Sequence, residues 1–111
     1  MKQSPSDARR QAPSAEGVEE QLFRLYVSSA SPVSSRAVVN ARHLLQRYLP
    51  GRHRLVVLDI ARHVAAARSD QVIASPTLIR LLPLPPRRFI GDMSDTERLR
   101  ISLGFEPILG S

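Results

Sequence analysis

The 111-residue chain has no cysteine and no tryptophan. Without cysteine it can form no disulfide scaffold, no thiolate zinc site and no dithiol redox catalyst. The absence fits a reducing compartment. Two Tyr and three Phe are the whole aromatic complement, so Leu, Val, Ile and Ala must build the core. Five glycines form no phosphate-cradling loop, and nucleotide binding has no signature. No apolar run approaches the roughly 20 residues that cross a bilayer. Residues 1–21 lack the apolar stretch of a secretory signal, and Asp7, Glu16, Glu19 and Glu20 argue against a transit peptide. The expectation is a cytoplasmic chain with no membrane association.

What is present is enough for one domain: 42% of residues are hydrophobic. The net charge is +6, carried almost wholly by arginine, with Lys2 the single lysine. A basic balance suits nucleic acid or an acidic protein. The arginines are dispersed, however, and only Arg9-Arg10 and Arg87-Arg88 are adjacent. No aromatics alternate with them to make a stacking platform, so nucleic acid is disfavoured as a partner.

Residues 1–20 are rich in Ser, Pro, Ala, Gln and charge and are expected to be a disordered tail. The domain should span 21–104, with 105–111 a short C-terminal tail. Residues 22–27 (Leu-Phe-Arg-Leu-Tyr-Val) predict a strand with apolar residues on both faces. Ser31-Pro32 has the form of a helix start, Ser31 as N-cap and Pro32 at the first helical position. Val33, Ala37, Val38, Ala41, Leu44, Leu45 and Tyr48 then form one stripe at helical spacing, ended by Pro50-Gly51. Residues 55–60 predict the most buried strand, five of the six being apolar. Strand, helix, strand in this length is a βαβ unit with parallel strands.

The second half is less decided. Residues 61–73, with Ala61, Ala65, Ala66 and Ala67, predict a helix. Residues 77–82 suit a strand or a short apolar helix equally, because a run of this length does not settle the period. Pro83, Pro85 and Pro86 make a turn, and residues 87–90 a returning strand. Residues 94–97 (Ser-Asp-Thr-Glu) have the form of a capping box for a helix carrying Leu99, Ile101 and Leu103, stopped at Gly104. Taken literally, the chain is α/β with the order β-α-β-α-β-β-α, which resembles the thioredoxin-like arrangement. Pro76 stands where that fold usually carries a cis-proline.

Candidate chemistry is sparse. The thioredoxin-like catalytic position is occupied by residues 28–32 (Ser-Ser-Ala-Ser-Pro), and serine cannot exchange disulfides. His43, on the helix face opposite the apolar stripe, His53, expected in a turn, and His63 match no compact metal motif, so no metal or cofactor is expected. Asp59 follows a strand at a sheet edge where ligand sites gather, yet no His or second carboxylate accompanies it. A loop or capping role suits it better. These residues indicate no enzyme.

One stretch is specific. Residues 74–78 (Ala-Ser-Pro-Thr-Leu), Leu82-Pro83 and residues 86–94 (Pro-Arg-Arg-Phe-Ile-Gly-Asp-Met-Ser) closely resemble the KaiB family. That family carries A-T-P-T-L, a proline cluster and R-R-I-I-G-D-L-S at the same separations. Leu25-Tyr26-Val27, Ser31-Pro32 and Ser35-Arg36-Ala37 resemble its L-Y-V…T-P-N-S-V-R-A segment, and Leu58-Asp59-Ile60 its V-I-D-V strand end. The resemblance runs from about residue 22 to 103.

It implies a regulatory protein without enzymatic activity in a circadian clock, or in clock-like or stress regulation. The implied partner is the N-terminal ATPase ring of a KaiC-type hexameric ATPase and autokinase, whose phosphorylation cycle it would modulate. KaiA and a histidine kinase with a thioredoxin-like sensor are further implied partners, and self-association to a dimer or tetramer is open. The family also implies a second fold, β-α-β-β-α-α-β, sharing the N-terminal βαβ half. Pro76, Pro83, Pro85, Pro86, Gly91 and Asp92 lie in the part that would rearrange. Arg36, Gln71, Arg87 and Arg88 match positions near the partner-facing surface. Some features depart from the pattern. Residues 59–64 (Asp-Ile-Ala-Arg-His-Val) lack the family's Asn-Pro, and Asp70 is the one acid left in the following helix. An acidic tail does not follow residue 108, which weakens the case for the tetramer and favours the thioredoxin-like state. A thioredoxin-like interaction domain in a histidine kinase pathway and a basic nucleic-acid-binding module are the alternative functions.

Overall fold

A computed structural model of the chain describes residues 20–105. The elements are β1 (Gln21–Val27), α1 (Pro32–Tyr48), β2 (His53–Asp59), α2 (Val64–Ser69), β3 (Thr77–Leu82), β4 (Arg87–Ile90) and α3 (Thr96–Leu103). The predicted order β-α-β-α-β-β-α is the observed one, and residues 77–82 are a strand. The expected tail at 1–20 lies outside the described residues except for Glu20, as do 106–111 of the expected C-terminal tail.

The sheet runs β2-β1-β3-β4. β1 pairs parallel with β2 and antiparallel with β3, and β3 pairs antiparallel with β4. The alternation within β1 sorts its side chains into two cores. Phe23, Leu25 and Val27 meet Ala37, Ala41, Leu44 and Leu45 of α1 and Leu99 and Leu103 of α3. Tyr26, on the other face, packs with Ile79 and Ala67 under the short α2. Ser31 caps α1 as expected, its hydroxyl accepting from the Ser34 N–H, with Pro32 in the first turn.

Four expectations are corrected. β2 is an edge strand with no fully buried residue, and Val56 is 39% exposed. Its apolar run reflects packing on both faces of an edge, not a central position. His53 opens β2 instead of lying in a turn, its ring nitrogen 2.8 Å from the Leu49 carbonyl. The helix predicted over 61–73 is confined to 64–69, because His63 gives it no side-chain cap and Gln71 turns left-handed at φ 57°. The last helix is capped by Asp95, not Ser94; the Asp95 carboxylate accepts from the Arg98 N–H at 3.1 Å. Leu99 and Leu103 of that helix are buried, while Ile101 faces out. Phe105 is buried too, its ring stacked on Tyr48 at 5.3 Å between centroids.

Candidate partner-binding surface

The segment between α2 and β3 is held from two sides. Arg24 and Tyr26 sit two apart on β1, so both side chains emerge on the α2 face. The Asp70 carboxylate accepts from the Tyr26 hydroxyl at 2.5 Å and from Arg24 at 2.8 Å. Burial pushes the Asp70 pKa upward, but the hydrogen bonds from Tyr26 and Arg24 outweigh it and hold the carboxyl below its ordinary value. Burial and the Asp70 carboxylate together raise the Tyr26 phenol. From the other side Arg88 of β4 donates to the backbone carbonyls of Asp70 at 2.7 Å and Gln71 at 3.1 Å. Gln71, itself exposed, is thus presented from a backbone clamped by a carboxylate and a guanidinium.

A second corner lies where α1 meets the β4–α3 connection. The Asn40 amide donates to the Asp92 carbonyl at 2.8 Å, and Arg36 stands 3.9 Å from the Asp92 carboxylate. Hydrogen bonds from Ser94, with Arg36 adding attraction, hold Asp92 below the usual carboxylate value. The Gly91 N–H donates to the Pro76 carbonyl at 3.0 Å, tying this loop to the entry of β3. The peptide bonds before Pro76, Pro83 and Pro85 are cis; that before Pro86 is not among the cis bonds. Pro83, Pro85 and Pro86 form the β3–β4 turn, with Leu84 71% exposed.

The four residues expected near a partner therefore do not form one cluster. Gln71 and Arg88 meet on the α2 face. Arg36 is paired at the Asp92 corner. Arg87, the strand neighbour of Arg88, emerges on the opposite face, where its guanidinium lies over Gly104 at the end of α3. Three structural residues escaped the sequence. In the sequence Asp70 stands out only as the one acid of the helix predicted over 61–73, and Asn40 not at all. Arg80 lies almost wholly buried and donates to the carbonyls of Pro85 and Leu103. The signal for Asp70 was a charge, Arg24, in the middle of an otherwise apolar strand.

The serine loop has structural duties. The buried Ser34 hydroxyl accepts from the Ser28 N–H at 3.0 Å. Asp59 accepts from the Ala61 N–H, and hydrogen bonds led by Ser29 keep it ionised below its usual value, as a loop role requires. Among the described residues no three metal-binding side chains cluster.

The KaiB domain model matches residues 24–105. The chain belongs to the KaiB family. A circadian clock oscillator protein KaiB of Prochlorococcus marinus is 42% identical over 82 residues, covering 74% of this chain and 70% of the relative. That of Synechococcus elongatus is 39% identical over 82 residues, 74% and 80% of the two chains. In structure, this KaiB-family chain is similar to the N-terminal domain of Synechococcus elongatus SasA, with TM-score 0.61 and 21% identity over 82% of this chain and 90% of that one. It is also similar to a Fasciola hepatica thioredoxin, with TM-score 0.63 and 14% identity over 90% and 94%. At those identities the likeness is one of fold, and the fold is thioredoxin-like. Gln71, Arg88, Arg36 and Asp92 all lie within the family-matched segment.

Proposed function

We propose that this family member is a non-enzymatic, cytoplasmic regulatory protein of a circadian clock or clock-like system. In this reading it docks on the N-terminal ATPase ring of a KaiC-type hexamer and modulates its phosphorylation cycle. The observation that carries the reading is the KaiB domain match joined to the β-α-β-α-β-β-α order. The family resemblance assigns that order to the partner-binding state, and the β-α-β-β-α-α-β order to a second state reached by fold switching. The α2 side of β4 offers a suitable contact: Ile73 is 90% and Ile90 48% exposed beside Gln71 and Arg88. Aliphatic side chains exposed among arginines suit a protein interface.

Light scattering of the chain alone, and mixed with the KaiC-type ATPase of the same genome and ATP, tests this. A complex of ring size, weakened by Gln71→Ala together with Ile73→Ser, is the expected result. Slow formation from a free dimer or tetramer supports the fold switch. Immediate formation from a monomer makes the thioredoxin-like state the ground state. No complex with any nucleotide overturns the reading.

A further inference from the structure

We propose that the cavity between α1 and the start of α3 binds a small organic anion, a phosphate or carboxylate group joined to an apolar or aromatic body. The proposal stands apart from the partner reading, since the cavity lies on the sheet face opposite Gln71 and Arg88. Its volume is about 460 Å³, within the range of small-molecule sites.

The lining divides by chemistry. Buried Leu44 and Met93, with Tyr48, supply the apolar part. Tyr48 is held in place by its stack on Phe105, so this wall is already formed. The polar part is cationic on one side. His43 and Arg47 are four apart on α1 and so project from one helix face into the cavity. Neither has a hydrogen-bond or ion-pair partner among the described residues, and α1 contains no acidic residue to neutralise the Arg47 guanidinium. Across the cavity stand the hydroxyls of Ser94 and Thr96.

Glu97 also lines the cavity and would repel an anion if free. It is not free. One carboxylate oxygen accepts from Arg100 at 2.5 and 3.2 Å, and that guanidinium holds it ionised and paired. The uncompensated charge on the wall is therefore that of α1. The walls are also tied to each other, by the Asn40 bond to the Asp92 carbonyl. A preformed apolar floor, with the unpaired Arg47 guanidinium and the His43 imidazole above it, recognises the two ends of an amphipathic anion separately.

Titration of the whole chain by calorimetry, and by amide shifts in NMR spectra, uses phenyl phosphate, benzoate, inorganic phosphate and phenol as probes. Phenyl phosphate or benzoate should saturate, about tenfold or more tighter than inorganic phosphate or phenol, because each of those has only one of the two ends. The tighter of the two anions assigns the headgroup. Arg47→Gln should weaken binding about tenfold, while Arg42→Gln, on the same helix but outside the cavity lining, leaves it unchanged. Should Arg47→Gln lose helical circular dichroism, His43→Gln supplies the same test. No saturable binding of either aromatic anion overturns the proposal. Equal weakening by Arg42→Gln also overturns it, because diffuse attraction to a basic surface would then explain the binding.

Discussion

Replacing Asp70 by alanine removes the carboxylate that hydrogen-bonds the α2–β3 connection to Arg24 and Tyr26 of β1. The Tyr26 hydroxyl loses its acceptor in a residue with no exposed surface. Stranding a buried hydroxyl costs about 1–3 kcal/mol. The Arg24 side chain is 37% exposed, so solvent screens its half of the site and its loss adds less than about 1 kcal/mol. The expected total is roughly 1–4 kcal/mol. In urea unfolding, with a slope of about 1–2 kcal/mol per M for a domain of this size, a loss of about 2 kcal/mol lowers the midpoint by about 1–2 M.

A double-mutant cycle makes the reasoning specific. Tyr26→Phe alone should cost about 1 kcal/mol, because Asp70 keeps Arg24. In the Asp70→Ala background the same change should be neutral or stabilising, since the hydroxyl it removes is already stranded. Coupling of about 1 kcal/mol or more is the expected result. Additive costs, or an Asp70→Ala variant as stable as the parent, would refute the argument. The site also has a pH signature. The folded-state pKa of Asp70 is depressed, so its stabilisation is complete above the unfolded-state value and is lost as pH falls through the folded one. The stability difference between the parent and Asp70→Asn should therefore be full at neutral pH and shrink below about pH 4.

Other outcomes follow from single contacts. Leu103→Ala empties a fully buried position where α3 meets the sheet, and thermal or urea unfolding should show a loss of about 2–5 kcal/mol. Gly104→Ala forces a Cβ onto a backbone at φ 77° and to 3.4 Å from the Arg87 guanidinium; a loss of about 1–2 kcal/mol is expected, and an unchanged melting temperature contradicts the left-handed cap. Asp95→Ala removes the N-cap of α3 and should cost about 0.5–2 kcal/mol, with faster amide exchange at Arg98. Arg80→Lys should destabilise although it keeps the charge, because one ammonium cannot span the Pro85 and Leu103 carbonyls as the guanidinium fork does.

Local chemistry by itself determined the N-terminal strand-helix-strand unit. Ser31-Pro32 favours a helix start, the stripe from Ala37 to Leu45 has a single period, and the alternation in β1 sends Phe23 and Leu25 one way and Tyr26 the other. The motifs of residues 74–78, 82–83 and 86–94, at their separations, pointed to the family. The tertiary structure alone decided which strand lies at the edge, because burial on two faces reads the same in a central strand and in β2. It also decided the strand character of residues 77–82, where pairing with both β1 and β4 settles a period that six residues cannot.

The partner surface was legible as residue types and not as an arrangement. Arg87 and Arg88 are neighbours in sequence, yet the pleat sends them to opposite faces of the sheet. One clamps the Gln71 backbone and the other covers Gly104. Asp70 could not be assigned from the chain, because its meaning comes from Arg24 and Tyr26 more than forty residues away. Periodicity reports the environment of a side chain along its own element. Which distant group completes a hydrogen bond depends on how the elements pack, and no local pattern encodes that.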